Sequence, residues 1–425
     1  MWRKPLGRRM TQSSKLSLRY RFVRRSRRIL MAIIDAVGWA ALRLFHHDQR
    51  DATPPAPERV KRILLIQLDH FGDAVLTTSL LPGLHRRFPG AAVDVLAAPW
   101  NWEVFAASRF VARIHVSRRN RFHRGASWLW PLGFLYWSWK LRGLGYDLAV
   151  DARGDFVNAA LMWATRIPVR IGWDCSGGGF LLTHSATYLP GRHEVGSRQE
   201  LLATIGARRT SDDVPNVVPN PDAEQFISYL LGDFRGGRRP LLVFHVGAGT
   251  QAKSWPAEHW RELLGRVVVE QDARVILVGS AADRETADEI TQGMFWPGVM
   301  DWTGRLNVAQ LAALTRRCSL FIGGDSGPAH LAAAAGAKVI SLFSGTNSSE
   351  QWKPWGDRVT VLSQPVACSP CYANYCRLRE HLCMQGLLPT RVAEAVDTAL
   401  HGRSTPAGPH FLKFPIRSEQ RGDQG

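Results

Sequence analysis

The stretch Phe321-Ile-Gly-Gly-Asp-Ser-Gly-Pro-Ala-His330 constrains the fold more than any other part of this 425-residue chain. Its apolar start reads as a buried strand, two glycines end that strand, and Pro328 suits the first turn of a helix. The helix then runs through small residues from Leu331 to Gly336. Asp325, Ser326, Gly327 and His330 are thereby crowded where a strand ends and a helix begins. In an open parallel sheet that edge is where ligands bind, and the free N–H groups there favour anionic groups. A phosphorylated or sugar-bearing ligand suits such a constellation.

The same unit recurs along the chain. Residues 62–67 form a short apolar run suited to a central parallel strand. A helical stretch over 74–88 and a strand over 92–97 follow, and strands over 146–151 and 169–172 continue the alternation. A second series begins after the Pro- and Asn-rich stretch near 216–222, with strands over 240–246, 273–278, 319–322 and 338–343. Alternation in two blocks predicts an α/β protein with two doubly wound domains facing each other across a cleft. The expected units are a leader and linker over 1–58, an acceptor domain over 59–220 and a donor domain over 221–401. A loose polar tail over 402–425 would complete the chain.

Charge is spread unevenly. The chain carries 54 Lys and Arg against 36 Asp and Glu, a net charge of +18, and residues 1–28 hold eleven of those cations and no acid. Such a leader suits an anionic partner, either nucleic acid or a phospholipid surface. Residues 29–45 are apolar apart from Asp35 and Arg43, which falls short of the roughly 20 apolar residues of a transmembrane helix. No cleavage site followed by a secreted domain marks a signal peptide. The pattern predicts a basic amphipathic helix in a membrane interface, with a helix packed on the body as the plainer alternative. The Pro-rich run over 51–58 reads as a linker. Nothing in the body resembles a helix-turn-helix or an RNA-recognition sheet motif, so no nucleic-acid partner is expected.

Gly72 and Asp73 join the first strand to the first helix. Asp73 is either a helix cap or a general base at the cleft edge, and a helix N-terminus would keep it ionised while weakening its basicity. Gly247, Gly249, Thr250 and Lys253 follow the first strand of the second series. Two glycines there let backbone N–H groups approach a phosphate, to which Lys253 adds a point charge, although the Walker pattern is absent. An ordinary loop with a solvated lysine is the alternative. Asp283 and Glu285 follow the next strand and are either ribose-hydroxyl acceptors or cap and surface charges. Arg118, Arg119 and Arg121 precede the aromatic run that begins at Trp128 and Trp130. These residues suit an anionic acceptor or a membrane interface, while single-stranded nucleic acid or core packing would draw on the same side chains. Cys368, Cys371, Cys376 and Cys383 cluster with a spacing that fits no common zinc pattern, which leaves packed thiols, redox bonding and a structural zinc site all open.

Taken in order, three segments resemble glycosyltransferase family 9, the heptosyltransferases. They are Gly-Asp-Ala-Val-Leu-Thr-Thr at 72–78, Val-Gly-Ala-Gly-Thr-Gln-Ala-Lys-Ser-Trp-Pro at 246–256 and Gly-Asp-Ser-Gly-Pro-Ala-His at 324–330. Cys-Ser-Pro-Cys at 368–371 and Leu388-Pro-Thr390 are similar to that family as well. The resemblance spans roughly residues 60–400 and implies a GT-B architecture of two Rossmann-like domains. It implies metal-independent, inverting transfer from a nucleotide-sugar co-substrate, usually ADP-heptose, to a lipid-linked saccharide such as lipopolysaccharide core. It further implies an enzyme peripheral to the cytoplasmic face of the inner membrane. By motif, Asp73 corresponds to the catalytic base, Lys253 to the diphosphate-contacting lysine and Asp325 to the acid that holds donor-sugar hydroxyls. Ser326, Gly327 and His330 would add phosphate or sugar contacts, and Glu285 or Asp283 would meet the ribose. A catalytically inactive nucleotide-sugar-binding scaffold is the competing reading of the same fold. A nucleic-acid-binding protein that uses the leader is the reading from another class.

Overall fold

The computed structural model describes residues 25–44, 53–120, 127–235, 239–293, 297–378 and 380–402. Within them lie two six-stranded sheets in which every pairing is parallel. The first contains β1 (Arg62–Gln67), β2 (Ala92–Ala97), β3 (Arg113–Val116), β4 (Leu148–Asp151), β5 (Val169–Trp173) and β6 (His184–Ala186), in the order β3-β2-β1-β4-β5-β6. The second contains β7 (Leu241–His245), β8 (Arg274–Val278), β9 (Val299–Asp301), β10 (Leu320–Gly324), β11 (Val339–Phe343) and β12 (Val359–Ser363). Its order, β12-β11-β10-β7-β8-β9, is the same winding repeated. The expected pair of doubly wound units is therefore present. Each winding reverses direction once, between β1 and β4 and between β7 and β10, and each reversal opens a crevice at the carboxyl ends of those strands.

The inner strands form where the sequence offers unbroken apolar runs. From Ile63 to Ile66 β1 is wholly buried, as are Leu242 to Phe244 of β7 and Leu320 to Ile322 of β10. Helices cover both faces of each sheet, which is what such runs require. The helical stretch expected over 74–88 is two helices, Phe71–Thr77 and Leu80–Arg87. At the break, Thr78 and Ser79 turn their hydroxyls back to the carbonyls of Val75 and Leu76, at 2.7 Å each. Ser and Thr that bond locally in this way compete with helix continuation.

The two units touch. The core around β1 includes Ala312, Leu331 and Ala335 of the second unit. The helix Gly327–Ala334 lies against Phe71–Thr77, so close that a Cβ on Gly72 would stand 3.3 Å from the Gly327 Cα. A Cβ on Gly327 would strike the Phe71 ring at 2.3 Å. Gln351 donates to Glu194 at 2.9 Å, and Val217 N–H donates to the Ala334 carbonyl at 3.1 Å.

Within the described part of the leader lies the helix Arg25–Leu44, which packs on the first unit. Buried Asp35 accepts the Gly178 N–H at 2.7 Å, and Trp39 stands edge-on to Phe180 with ring centroids 6.3 Å apart. Among the described residues no helix is long and apolar enough to cross a membrane.

Candidate active site

The carboxyl ends of β1 and β4 carry a chain of charged side chains. Asp73 lies in the first turn of Phe71–Thr77 and accepts no cap bond there; its Oδ1 takes a hydrogen bond from Arg198 Nη2 at 2.8 Å. Arg198 comes from the helix Glu194–Ala203, is 2% exposed at its side chain, and also pairs with Glu194 at 2.8 Å and Thr77 at 3.1 Å. Thr77 donates to Gln67 at 2.8 Å, Gln67 donates to Asp69, and Asp69 forms an ion pair with Arg153, which follows β4.

This arrangement divides two neighbouring carboxylates. Burial, reinforced by the charge of Asp73, pushes Asp69 up to about 7, against the pull of Arg153. Burial alone would also raise Asp73, but Arg198, Arg153 and His70 outweigh it and hold Asp73 below the usual carboxylate range. Asp73 is thus an anion at neutral pH with a partly exposed edge. A carboxylate held in this way is a weak base.

The ends of β7 and β10 are built differently. Lys253 reaches back to Asp325, with Nζ 2.9 Å from Oδ2 and 3.1 Å from the Asp325 carbonyl; Asn347 donates to the same Oδ2 at 3.2 Å. Ser326 occupies the N-cap position of Gly327–Ala334 but its side chain does not cap the helix; Pro328 has no N–H and the Ala329 N–H donates to the Ser326 carbonyl at 3.1 Å, so Gly327 carries the one N–H of the first turn not spoken for by these two. Burial holds His330 neutral down to about 3 and His245 down to about 4. His330 Nδ1, His245 Nδ1 and Thr250 Oγ1 are buried with no hydrogen-bond partner among the described residues. Buried polar atoms left in this state on one crevice wall mark a place where a polar ligand completes the bonding.

Of the residues singled out in the sequence, Asp73, Lys253, Asp325, Ser326, Gly327, His330 and Thr250 gather on the two facing crevices. Gly247 is needed for packing, since a Cβ there would run into the Asp283 carboxylate at 2.4 Å, whereas Gly249 has open space around it. Asp283 spends Oδ2 on the Ser280 N–H and hydroxyl, at 2.7 and 2.6 Å, in a capping box. One of its carboxylate oxygens is thus committed to the cap. Glu285 is an exposed residue in the first turn of Arg284–Thr291. Arg118, Arg119, Trp128 and Trp130 are exposed, while Arg121 lies outside the described residues.

Asp69, Arg153, Arg198 and Glu194 were not singled out in the sequence. Asp69 sits in the same segment as Asp73 and was legible there as a second acid. Arg153 and Arg198 find their partners 84 and 125 residues away, so no local spacing announces them.

The cysteine segment braces this wall. Asn374 accepts the Ala252 N–H, Gly345 accepts the Cys371 N–H and Thr346 accepts the Tyr372 N–H, each at 3.0 Å. Both the Lys253 loop and the Asn347 turn are held from behind. Cys368 and Cys371 are exposed, Cys376 is half-buried and Cys383 is buried; burial and the neighbouring Cys376, Cys368 and Cys371 push the Cys383 thiol up. Among the described residues no group of three or more His, Cys, Asp or Glu is arranged to hold a metal ion.

Comparisons with known proteins agree with this architecture. The chain is 27% identical over 365 residues to lipopolysaccharide heptosyltransferase 1 of Pseudomonas aeruginosa, covering 80% of this chain and 98% of that protein. It superposes on the structure of Escherichia coli ADP-heptose lps heptosyltransferase II with a TM-score of 0.66 and 23% identity, over 80% of this chain and 98% of that one. The E. coli heptosyltransferase WaaC with ADP gives a TM-score of 0.61 at 21% identity, over 80% and 99% of the two chains. Both solved structures share the GT-B fold seen here. The model of glycosyltransferase family 9 (heptosyltransferase) matches residues 137–381, more than half of the chain. The chain belongs to glycosyltransferase family 9 and is a glycosyltransferase.

Proposed function

We propose that this glycosyltransferase moves heptose from ADP-heptose onto lipopolysaccharide core or another lipid-linked acceptor, inverting the anomeric centre without a metal ion. The work would be done at the cytoplasmic face of the inner membrane. What carries the reading is the meeting of two unlike crevices: an ionised carboxylate on one wall, and a lysine beside an uncapped helix start on the other. The names of the curated relatives support heptose and lipopolysaccharide as the donor sugar and acceptor class.

In this reaction an acceptor hydroxyl attacks the anomeric carbon while the nucleoside diphosphate leaves from the opposite face. Asp73 takes the hydroxyl proton as the new bond forms. Arg198 keeps Asp73 charged until then and fixes the direction of its free edge. On the other wall Lys253 turns from Asp325 toward the diphosphate, and the Gly327 N–H meets the negative charge that grows on it. Asp325, released from Lys253, is free to accept bonds from donor-sugar hydroxyls. Neutral His330 and the Thr250 hydroxyl offer hydrogen bonds without adding charge. Contact between the units excludes water that would otherwise hydrolyse the donor.

Calorimetry with ADP-heptose, ADP, UDP-GlcNAc and UDP, on the wild type and Lys253→Ala, tests the donor. The expected result is a preference for the adenine ligands that weakens in the variant. Preference for the uridine ligands would reassign the donor, and binding of none would remove the reading.

A further inference from the structure

The first sheet is covered differently on its two faces. One face carries Phe71–Thr77 and the site. The other carries the helices Trp130–Arg142 and Phe156–Ala164 and the turn Gly179–Leu181, which share a core with Leu64, Ile66 and Leu96 of the sheet. The leader helix adds a further layer over that turn. Met31 lies on Gly177, Asp35 holds Gly178 and Trp39 meets Phe180. All three helices are therefore on the same side of the sheet, away from the second unit's core.

The outside of this layer is apolar. On the leader helix Ile29, Ile33, Val37 and Leu44 are exposed, Val37 to 64%. At 3.6 residues per turn these four fall on one stripe, opposite the stripe of Met31, Asp35 and Trp39 that docks. On Trp130–Arg142 the exposed set is Leu132, Leu135, Tyr136 and Trp139, at spacings of three and four, with Leu135 63% and Trp139 77% exposed. Trp163, at the end of the third helix, is 53% exposed between them in the order of packing. Of the aromatic run, Trp137 is buried in the core and Phe134 packs against it. A monomer rarely leaves so many large apolar side chains in solvent on one flank.

Charge selects the occupant. The only acid in the three helices is Asp35, and it is buried against Gly178. The leader helix opens with Arg25, Arg27 and Arg28, the aromatic helix closes with Lys140 and Arg142, and Lys140 stacks on Tyr136 and Trp137 at 5.6 and 5.0 Å. A second copy on this face would set helices rich in Lys and Arg against one another, and these helices carry no exposed acid. A bilayer of anionic lipids would take the apolar stripes at the acyl boundary, the tryptophans at headgroup level and the cations among the phosphates.

We infer that the leader helix, the Trp130–Arg142 helix and Trp163 form one docking face for the surface of an anionic phospholipid bilayer. The face lies in the interface and does not cross it. The leader helix and residues 130–136 of the aromatic helix both lie outside the stretch that the family model matches. The inference deepens the proposed function by naming the surface that brings the cleft to a lipid-linked acceptor, and it rests on that reading for its purpose only.

Full-length protein is sedimented with vesicles of phosphatidylglycerol and phosphatidylcholine, and with phosphatidylcholine alone. The wild type is expected to bind the anionic vesicles. Ile33→Ser with Val37→Ser, and separately Leu135→Ser with Trp139→Ser, should each lower partitioning by about tenfold or more. ADP binding by calorimetry is measured on the same samples and should not change, which shows that the variants are folded. Failure of the wild type to bind, or equal binding by both double variants, overturns the docking face. Self-association in solution that the double variants abolish overturns it in favour of a second copy. Loss of ADP binding by the wild type would strike the proposed function instead and leave the vesicle result standing.

Discussion

Where β1 and β4 end, two carboxylates and two arginines are packed into one network with Glu194 behind them; where β7 and β10 end, a single Lys253–Asp325 pair sits among glycines and two neutral histidines. The strand order is the same in both places. The difference therefore comes from side chains and not from topology. A crowd of paired charges can hold one carboxylate ionised and aimed, which suits moving a proton. A lysine beside an uncapped helix start offers positive charge and a backbone donor to a spread anion, which suits a diphosphate. One winding yields two chemistries because each crevice is furnished differently.

The comparison breaks most sharply at Asp73. Asp73→Asn should lower transfer by about a thousandfold with donor binding intact, since only the proton acceptor is lost. Equal turnover, measured with saturating donor, would move the base elsewhere. Arg198→Met should cost about 3 kcal/mol of stability, because Asp73 and Glu194 would then be buried without their cation. Urea denaturation reads this, and an unchanged midpoint would mean that the network is not carried by Arg198. Lys253→Ala should weaken ADP binding by about tenfold to fiftyfold and cost less stability than Arg198→Met, since one buried carboxylate rather than two loses its cation and Asp325 keeps Asn347.

The smallest effects sharpen the comparison through pH. The folded protein keeps a proton on Asp69 up to about 7 that the unfolded chain releases near 3.8. That contribution is full below the lower value and is lost as pH rises to the upper one. His330 and His245 behave oppositely, because the unfolded chain binds protons near 6.5 that the folded one refuses down to about 3 and about 4. Their contribution is full above the unfolded value and falls as pH drops through it. Asp69→Asn should thus gain most relative to wild type near about pH 8, and His330→Gln near about pH 4. Thermal midpoints at both pH values that shift alike in the two variants would erase the distinction between the crevices.

Much of this was legible in the sequence, and the gaps have a pattern. The eight strands expected from apolar runs are the eight inner strands. The four that went unseen, β3, β6, β9 and β12, are the four sheet edges. An edge strand is short and half-covered, so its residues need not be continuously apolar; β9 is Val-Met-Asp and β6 is His-Ser-Ala. The site followed the same logic. Asp73, Lys253 and Asp325 stand in local strand-to-helix turns and could be found by motif. Arg198 lies in Glu-Val-Gly-Ser-Arg-Gln-Glu-Leu-Leu-Ala, which reads as a solvated helix until the fold turns that arginine inward. Asp283 shows the converse, a residue in the right turn with one carboxylate oxygen committed to its own helix start.

The meeting of Gly72 and Gly327 has a consequence for what the cleft can hold. The Phe71 and His330 rings flank that contact, so a side chain added at either glycine would have to displace a main chain or a ring. Asp73 follows Gly72 directly, and the helix Gly327–Ala334 begins at the other glycine. Under the proposed function the span from proton acceptor to leaving group would then be set by main-chain packing, and the enzyme would select the depth of its donor before any hydroxyl is read.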